Sequence, residues 1–179
     1  MYDELHEINQ GTINWRCPQQ DIRMRWIEHH CKGQILDVGC ANGGLLQFLS
    51  EEEFEGYIGV DFDRVRIDEA KCTYPDKQFY VLDAAYGLPF ADESFDVVVC
   101  ADMLEHIPYD IASKLVYDLV RVTKERVLLT FPLSDEMQEN IDHVWTVTVD
   151  KVQELLAPFE GCKVKMKLTE DFIFVKMGK

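Results

Sequence analysis

Short apolar runs alternate with amphipathic stretches along most of the chain. The runs that predict strands are residues 34–38, 57–61, 78–82, 95–101 and 126–131. Apolar residues recur at helical spacing between them, in residues 18–31, 44–50, 64–72 and 109–122. Gly33 is suited to end the first helix and Asp63 to cap the third. This alternation indicates a parallel sheet covered on both faces, so the predicted class is α/β with a doubly wound, Rossmann-like fold.

The last part of the chain has a different pattern. A helix is expected over residues 151–157, with Asp150 as its cap, and two strands over 162–168 and 172–177. The turn between these strands is too short for a parallel crossover, so they must be antiparallel neighbours. The mostly parallel sheet should therefore carry an antiparallel hairpin at one edge.

The composition of the chain indicates which kind of protein and which kinds of partner are expected. The 179 residues contain no repeat or flexible linker, so we expect a single domain. A formal net charge of −15 disfavours nucleic acid as a partner. The alternating lysines of residues 163–167 are interpreted as a solvated strand face.

Neither a secretion signal nor an apolar run that could cross a membrane is present in the sequence, so we expect a cytoplasmic protein without a membrane partner. The six cysteines are scattered and form no CxxC pair, which fits free thiols. His29, His30 and Cys31 are adjacent on a predicted helix and cannot converge on one ion, so we expect no metal site. The oligomeric state is left open.

The stretch ILDVGCANGG, residues 35–44, marks the expected ligand site. Ligands of doubly wound sheets lie at the carboxyl ends of the strands, and glycines let a ligand approach the backbone. Two cofactors fit such a loop. Gly39, Ala41 and Gly44 loosely match a dinucleotide motif, in which Asp61 would be the ribose-binding acid.

Asp37 favours a different cofactor, because its carboxylate would repel a pyrophosphate by roughly several kcal/mol. S-adenosylmethionine carries positive charge and no phosphate. Asp61 ends the second strand, where a carboxylate can accept both ribose hydroxyls. Asp83 follows the third strand, where it could accept the adenine amino group while Ala84 offers its backbone N–H.

The segments ILDVGCANGG, GVDFD and VLDAAYGLPFADESFDVVVCADMLEHI, at this spacing, resemble the class I S-adenosylmethionine-dependent methyltransferases, in their small-molecule, ubiquinone-biosynthesis-like branch. The resemblance extends over residues 34–131. It implies seven strands, with the last inserted antiparallel between the fifth and sixth. It also implies an N-terminal helical lid at 1–33, a cofactor-binding core at 34–131, and a substrate loop with the hairpin at 132–179.

The resemblance assigns further roles within the site. Gly39 and its neighbours Cys40, Ala41 and Gly43 would contact the methionyl part, Phe62 the adenine, and the backbone of Ala101 the methionyl amino group. Two departures are evident. Ala41 stands where the family often has glycine, and Thr123-Lys124-Glu125 replaces the usual lysine-proline-glycine-glycine turn before the fifth strand.

Methyl transfer to a hydroxyl or ammonium also requires a base. His106 and His143 are the candidates, although Glu105 and His106 could instead orient their loop. Trp145 fits either an acceptor pocket or the core. Trp15 and Arg16 would lie near the site if the N-terminal segment forms a lid.

The function that we predict is methyl transfer from S-adenosylmethionine to a small molecule by in-line displacement. A non-catalytic cofactor-binding subunit that keeps this fold is the second interpretation, and a nicotinamide oxidoreductase is the third.

Overall fold

The computed structural model describes residues 18–50, 52, 54–133 and 142–179. The first half contains α1 (Pro18–Glu28), β1 (Gly33–Val38), β2 (Phe54–Asp61), α2 (Arg64–Thr73) and β3 (Gln78–Val81). The second half contains β4 (Phe95–Ala101), α3 (Tyr109–Val122), β5 (Thr123–Pro132), α4 (Val149–Leu156), β6 (Lys163–Leu168) and β7 (Phe172–Gly178). Among the described residues, none of the helices has the length and apolar composition that are needed to cross a lipid bilayer.

The strands form one sheet in the order β3-β2-β1-β4-β5-β7-β6. Strands β1 to β5 are parallel, whereas β7 pairs antiparallel with both β5 and β6. The predicted fold class is confirmed, including the antiparallel hairpin and the insertion of the last strand. The order reverses between β1 and β4, and ligands bind at such a point in doubly wound sheets.

The two faces of the sheet are covered by different helices. Leu36 and Val98 face the cluster of buried residues that α3 and α4 complete. Their neighbours Ile35 and Val97 face a second cluster, which includes Ile27 of α1 and Ile67 of α2. This alternation follows from the two-residue period of a strand, and it makes both faces apolar.

Several predicted boundaries are wrong. The helix expected over residues 44–50 is only a 3₁₀ turn, Gly44–Gln47. Helix α1 ends at Glu28, and Gly33 begins β1 in a left-handed conformation with φ +72° rather than capping the helix. Strand β5 begins at Thr123 rather than at Arg126 and follows α3 directly, so Thr123-Lys124-Glu125 belongs to the strand, whose register against β4 shifts between Phe95 and Val97.

Of the N-terminal caps predicted for two helices, one is correct and the other is wrong. Asp63 caps α2 as predicted, because its carboxylate accepts hydrogen bonds from the backbone N–H groups of Val65 and Arg66. Helix α4 begins two residues earlier than expected and is capped by Thr148, whose hydroxyl accepts from the N–H of Lys151 at 3.2 Å. Asp150 lies in its first turn instead.

We therefore expect Thr148→Ala to lower the free energy of unfolding by about 1 kcal/mol, because an orphaned N–H loses its acceptor. Asp150→Ala should cost roughly 0.3 kcal/mol at raised salt, since only an interaction with the helix dipole is lost. Urea unfolding of both variants tests this assignment. Equal losses, or no recovery in Thr148→Ser, would contradict it.

Candidate functional site

A cavity of about 890 Å³ opens among the described residues at the carboxyl ends of β1, β2 and β4. Its size lies within the range of small-molecule and cofactor sites, about 300–1,000 Å³. The predicted cofactor residues that line it are Asp37, Gly39, Cys40, Ala41, Asp61, Phe62, Asp83, Ala84 and Ala101. His106 also lines it, whereas Gly43 and His143 do not.

The loop after β1 follows the backbone of β2 closely. The N–H groups of Gly39 and Cys40 both donate to the carbonyl of Val60, at 2.9 and 3.1 Å. Gly39 has φ +78°, and a Cβ at that position would lie 2.8 Å from Cγ of Met103. Gly43 has φ +79° and is buried beside Phe79, so its contribution is to turn the loop rather than to face the cavity.

Asp61 fixes this loop to the end of β2. One of its carboxylate oxygens accepts from the N–H of Ala41 and the other from the N–H of Asp63, both at 2.9 Å. Ala41 adopts φ +49°, the conformation that favours the glycine usual in the resembling family. Each oxygen of Asp61 keeps a second lone pair, so the oriented carboxylate can still accept hydrogen bonds from a ligand.

Asp37 is a buried carboxylate in the wall of the cavity. The hydroxyl of Tyr57 donates to it at 2.6 Å, and its exposed fraction is 4%. Burial raises the pKa of Asp37 to about 6, against the opposing effect of the Tyr57 hydrogen bond. At pH 7 a carboxyl with this pKa is still mostly ionised, so its buried charge would attract a cationic ligand and repel a phosphate.

Asp83 and Phe62 are the exposed members of the site. Asp83 lies two residues after the end of β3, and one of its oxygens accepts from the N–H of Ala85 at 3.0 Å, so it caps the turn Ala84–Tyr86. Its second oxygen can still take a ligand. The ring of Phe62 is 74% exposed directly after Asp61, where it offers a flat apolar surface to an aromatic base.

An ion pair that the sequence does not predict joins α1 to the end of β4. The guanidinium of Arg23 pairs with Asp102, and both side chains are largely buried in the cavity wall. The hydroxyl of Thr130 donates to the other oxygen of Asp102 at 2.6 Å, while Asp102 itself adopts φ +47°. This arrangement brings Met24 and Ile27 of α1 to the cavity. Trp15 and Arg16 lie outside the described residues.

The two candidate bases lie together at the other side of the cavity. The rings of His106 and His143 have centroids 4.8 Å apart, and the imidazole Nδ1 of His106 is 3.1 Å from the carbonyl oxygen of Asp142. Burial lowers the pKa of His143 and raises the pKa of the neighbouring Glu105 to about 7. Because they follow the fourth and fifth strands, the two histidines are expected to open onto the same crevice, but the sequence does not predict that the buried Glu105 meets them.

Trp145 holds this region against the loop after β4. Its indole N–H donates to the carbonyls of Leu104 and Ile107, at 3.1 and 3.2 Å. The backbone N–H of Val144 donates to the carbonyl of Glu105 at 2.9 Å. Trp145 is buried and does not line the cavity, so of its two interpretations the core position is the correct one.

Comparison with known proteins identifies related chains. A family model described as a methyltransferase domain matches residues 35–126. Two curated relatives named ubiquinone biosynthesis O-methyltransferase, from Stutzerimonas stutzeri and Azoarcus sp., are 27% and 30% identical over 114 and 117 residues. Each match covers 60% of this chain and 44% of the relative, so the chain spans less than half the length of these curated relatives.

Solved structures share the fold at low sequence identity. The magnesium protoporphyrin IX methyltransferase of Synechocystis PCC 6803, crystallised with bound SAH, superposes with a TM-score of 0.71 at 18% identity, over 99% of this chain and 93% of that one. The PH0226 protein of Pyrococcus horikoshii OT3 superposes with a TM-score of 0.73 at 18% identity, over 99% of both chains.

The burial of Asp37 predicts a pH dependence of stability. A carboxyl whose pKa is raised on folding binds more protons in the folded than in the unfolded chain between pH 4 and 6, so its ionisation lowers the free energy of unfolding as pH rises through that range. In Asp37→Asn this contribution is absent, while the amide oxygen can still accept from Tyr57.

Measured by urea unfolding, the stability of Asp37→Asn relative to wild type should increase by up to about 3 kcal/mol from pH 4 to pH 7, the equivalent of about two pKa units. Asp68→Asn, an exposed acid on α2, is the control and should show no such trend. A constant difference between Asp37→Asn and wild type across this range would mean that Asp37 is not the group responsible.

Proposed function

Because this chain belongs to the methyltransferase domain family, we propose that it binds S-adenosylmethionine in the cavity and transfers the methyl group to a hydroxyl of a small molecule. The observation that carries the proposal is the pairing of an oriented carboxylate, Asp61, with a second buried carboxylate, Asp37, at the carboxyl edge of the sheet. A nicotinamide dinucleotide would bring its pyrophosphate to the same edge, against the charge of Asp37.

Each part of the cofactor has a matching group in the cavity. Asp61 accepts the two ribose hydroxyls, and Phe62 packs against the adenine, whose amino group Asp83 accepts. The backbone from Gly39 to Ala41 approaches the methionyl part. Gly39 has φ +78°, and a Cβ there would lie 2.8 Å from Cγ of Met103, so no side chain fits at this position. The carbonyl of Ala101 accepts from the methionyl ammonium, and Asp37 supplies the compensating negative charge.

The three segments of the chain take different tasks in this proposal. Residues 34–131 hold the cofactor. Of the segment 1–33, helix α1 covers it, an assignment supported by Arg23, Met24 and Ile27 in the cavity wall, while residues 1–17 lie outside the described residues. Of the segment 132–179, the described residues from Asp142 onward supply the acceptor side, where Asp142 lines the cavity.

The proposed reaction is an in-line displacement. Bound S-adenosylmethionine supplies a methyl group that is activated by its positively charged sulfur. The protein's part is to hold the acceptor oxygen about 3 to 3.5 Å from the methyl carbon and to exclude water. His106, which lines the cavity, and His143 beside it are the groups placed to receive the acceptor's proton.

The acceptor class rests on the curated relatives, which are named as O-methyltransferases. The net charge of −15 favours a neutral or cationic small molecule over a polyanion. A non-catalytic subunit that keeps the fold would bind the cofactor but transfer no methyl group. Incubation with labelled S-adenosylmethionine and a panel of phenols and catechols distinguishes these two cases.

We expect Asp61→Ala to weaken binding of S-adenosylhomocysteine, the demethylated product, by about 100-fold or more. The reason is the loss of two hydrogen bonds to a charged acceptor, each worth about 1.5 kcal/mol or more. Isothermal titration calorimetry measures the change.

Asp68→Ala, which removes an exposed carboxylate from α2 away from the cavity, is the matched control and should bind as wild type does. Circular dichroism verifies that the Asp61 variant is folded. Unchanged affinity in a folded Asp61→Ala protein would remove the ribose assignment.

A further inference from the structure

Three side chains of metal-ligating type meet at the acceptor side of the cavity. Glu105 and His106 belong to the 3₁₀ turn Leu104–His106 that follows β4, and His143 comes from the segment that packs against this turn. One potential ligand atom from each lies within 4.8 Å of the other two. The ligand atoms around one bound Zn²⁺ lie closer together than this, so rotation of the side chains would be needed to bring all three onto one ion.

Glu105 is a buried carboxylate for which the described part of the fold offers no hydrogen-bond partner. Its side chain is fully buried, and neither carboxylate oxygen has a hydrogen-bond partner among the described residues. The nearby guanidinium of Arg23 forms its ion pair with Asp102 instead. Buried polar groups in native proteins are nearly always satisfied by a partner, a water or an ion, so this carboxylate indicates a missing partner.

Each of the two imidazoles has a nitrogen that can act as an acceptor for a cation. The carbonyl of Asp142 can only accept, so Nδ1 of His106 carries the proton that it donates there, and Nε2 keeps its lone pair. Metal-ligating histidines show this pattern, in which the second ring nitrogen donates to a backbone carbonyl. Nδ1 of His143 is buried without a hydrogen-bond partner in the described ranges, and in the tautomer protonated on Nε2 its lone pair is available to a cation.

We propose that Glu105, His106 and His143 bind one divalent transition-metal ion of the Zn²⁺ class at the acceptor end of the cavity. Two imidazoles and one carboxylate are the ligands of catalytic zinc sites, which leave a further position open. Mg²⁺ fits less well, because it prefers oxygen ligands in octahedral geometry. The consecutive residues His29, His30 and Cys31 do not form such a group in the part of the chain that the structure describes.

The position of the ion gives it a role that rests on the proposed function. His106 lines the cavity together with Ala101 and Asp142, so an ion held by His106 would lie beside the acceptor. An acceptor hydroxyl bound to the ion would have a lowered pKa and would lose its proton to solvent before the cavity closes, so with both imidazoles bound to the metal the ion takes over the role given above to His106 and His143 as bases. The site therefore selects acceptors with a metal-binding oxygen, such as phenols that carry a neighbouring hydroxyl.

Metal binding is tested on the full chain after chelation and dialysis. Co²⁺ is the probe, because its visible absorption reports coordination directly, and Zn²⁺ is then added as a competitor. We expect one equivalent of Co²⁺ to bind with a visible spectrum typical of imidazole and carboxylate ligands, and Mg²⁺ not to displace it. Glu105→Gln and His143→Ala should each weaken binding by more than about tenfold.

His29→Ala and Cys72→Ser, which alter exposed residues outside the cluster, are the matched controls and should retain the affinity of wild type. Thermal unfolding verifies that every variant is folded. Absence of saturable Co²⁺ binding, or equal affinity in wild type, Glu105→Gln and His143→Ala, would overturn the proposed site.

Titration of each protein with S-adenosylhomocysteine separates this proposal from the proposed function. Wild-type affinity for S-adenosylhomocysteine without Co²⁺ binding would overturn the metal site alone. Co²⁺ binding without affinity for S-adenosylhomocysteine would overturn the cofactor assignment alone. Methyl transfer that persists at full rate after complete metal removal would overturn the role in acceptor activation.

Discussion

The carboxylate of Asp61 is the constraint on which the geometry of the site depends. Its two oxygens hold the backbone N–H of Ala41, in the loop after β1, and that of Asp63, at the start of α2. The hydrogen bond to its N–H helps to hold Ala41 in a left-handed conformation, which is unfavourable for a residue with a side chain. One carboxylate thus shapes the loop that approaches the ligand and presents its remaining lone pairs to that ligand.

The opposite wall is organised by a second carboxylate. Asp102 also adopts a left-handed conformation, and it is held by the hydroxyl of Thr130 and the guanidinium of Arg23. Because Arg23 belongs to α1, this ion pair joins the first helix to the end of β4. The cavity therefore lies between two strained backbone positions, each fixed by an acidic side chain, and such strain is concentrated at functional sites.

Much of the fold could be predicted because its signals are local. The strand at Phe95–Ala101 and the helix at Tyr109–Val122 were predicted with their observed bounds, since a continuous apolar run and a strong helical period leave little choice. Thr148 was missed as a cap because Asp150 is an equally good capping residue two positions later. The helix expected after Gly44 was wrong, because the 3₁₀ turn there is not continued.

The groups that sequence reasoning missed at the site are those that depend on distant contacts. Nothing in the pattern pairs Arg23 with Asp102, because this contact joins elements far apart in the chain. The two histidines are expected at one crevice, but their contact with the buried Glu105 is not. Asp37, Asp61 and Asp83 could be predicted because parallel strands end at one edge of the sheet. Their hydrogen bonds to Tyr57, Ala41 and Ala85 required the structure.

The carboxylate-bearing edge of the sheet is proposed to select a cationic nucleoside without phosphate. A calorimetric titration of the wild-type chain with S-adenosylmethionine, S-adenosylhomocysteine and NADH under the same conditions tests this selectivity. We expect saturable binding of both sulfur compounds at one site and no measurable binding of NADH. Tighter binding of NADH than of either sulfur compound would show that the edge does not select in this way.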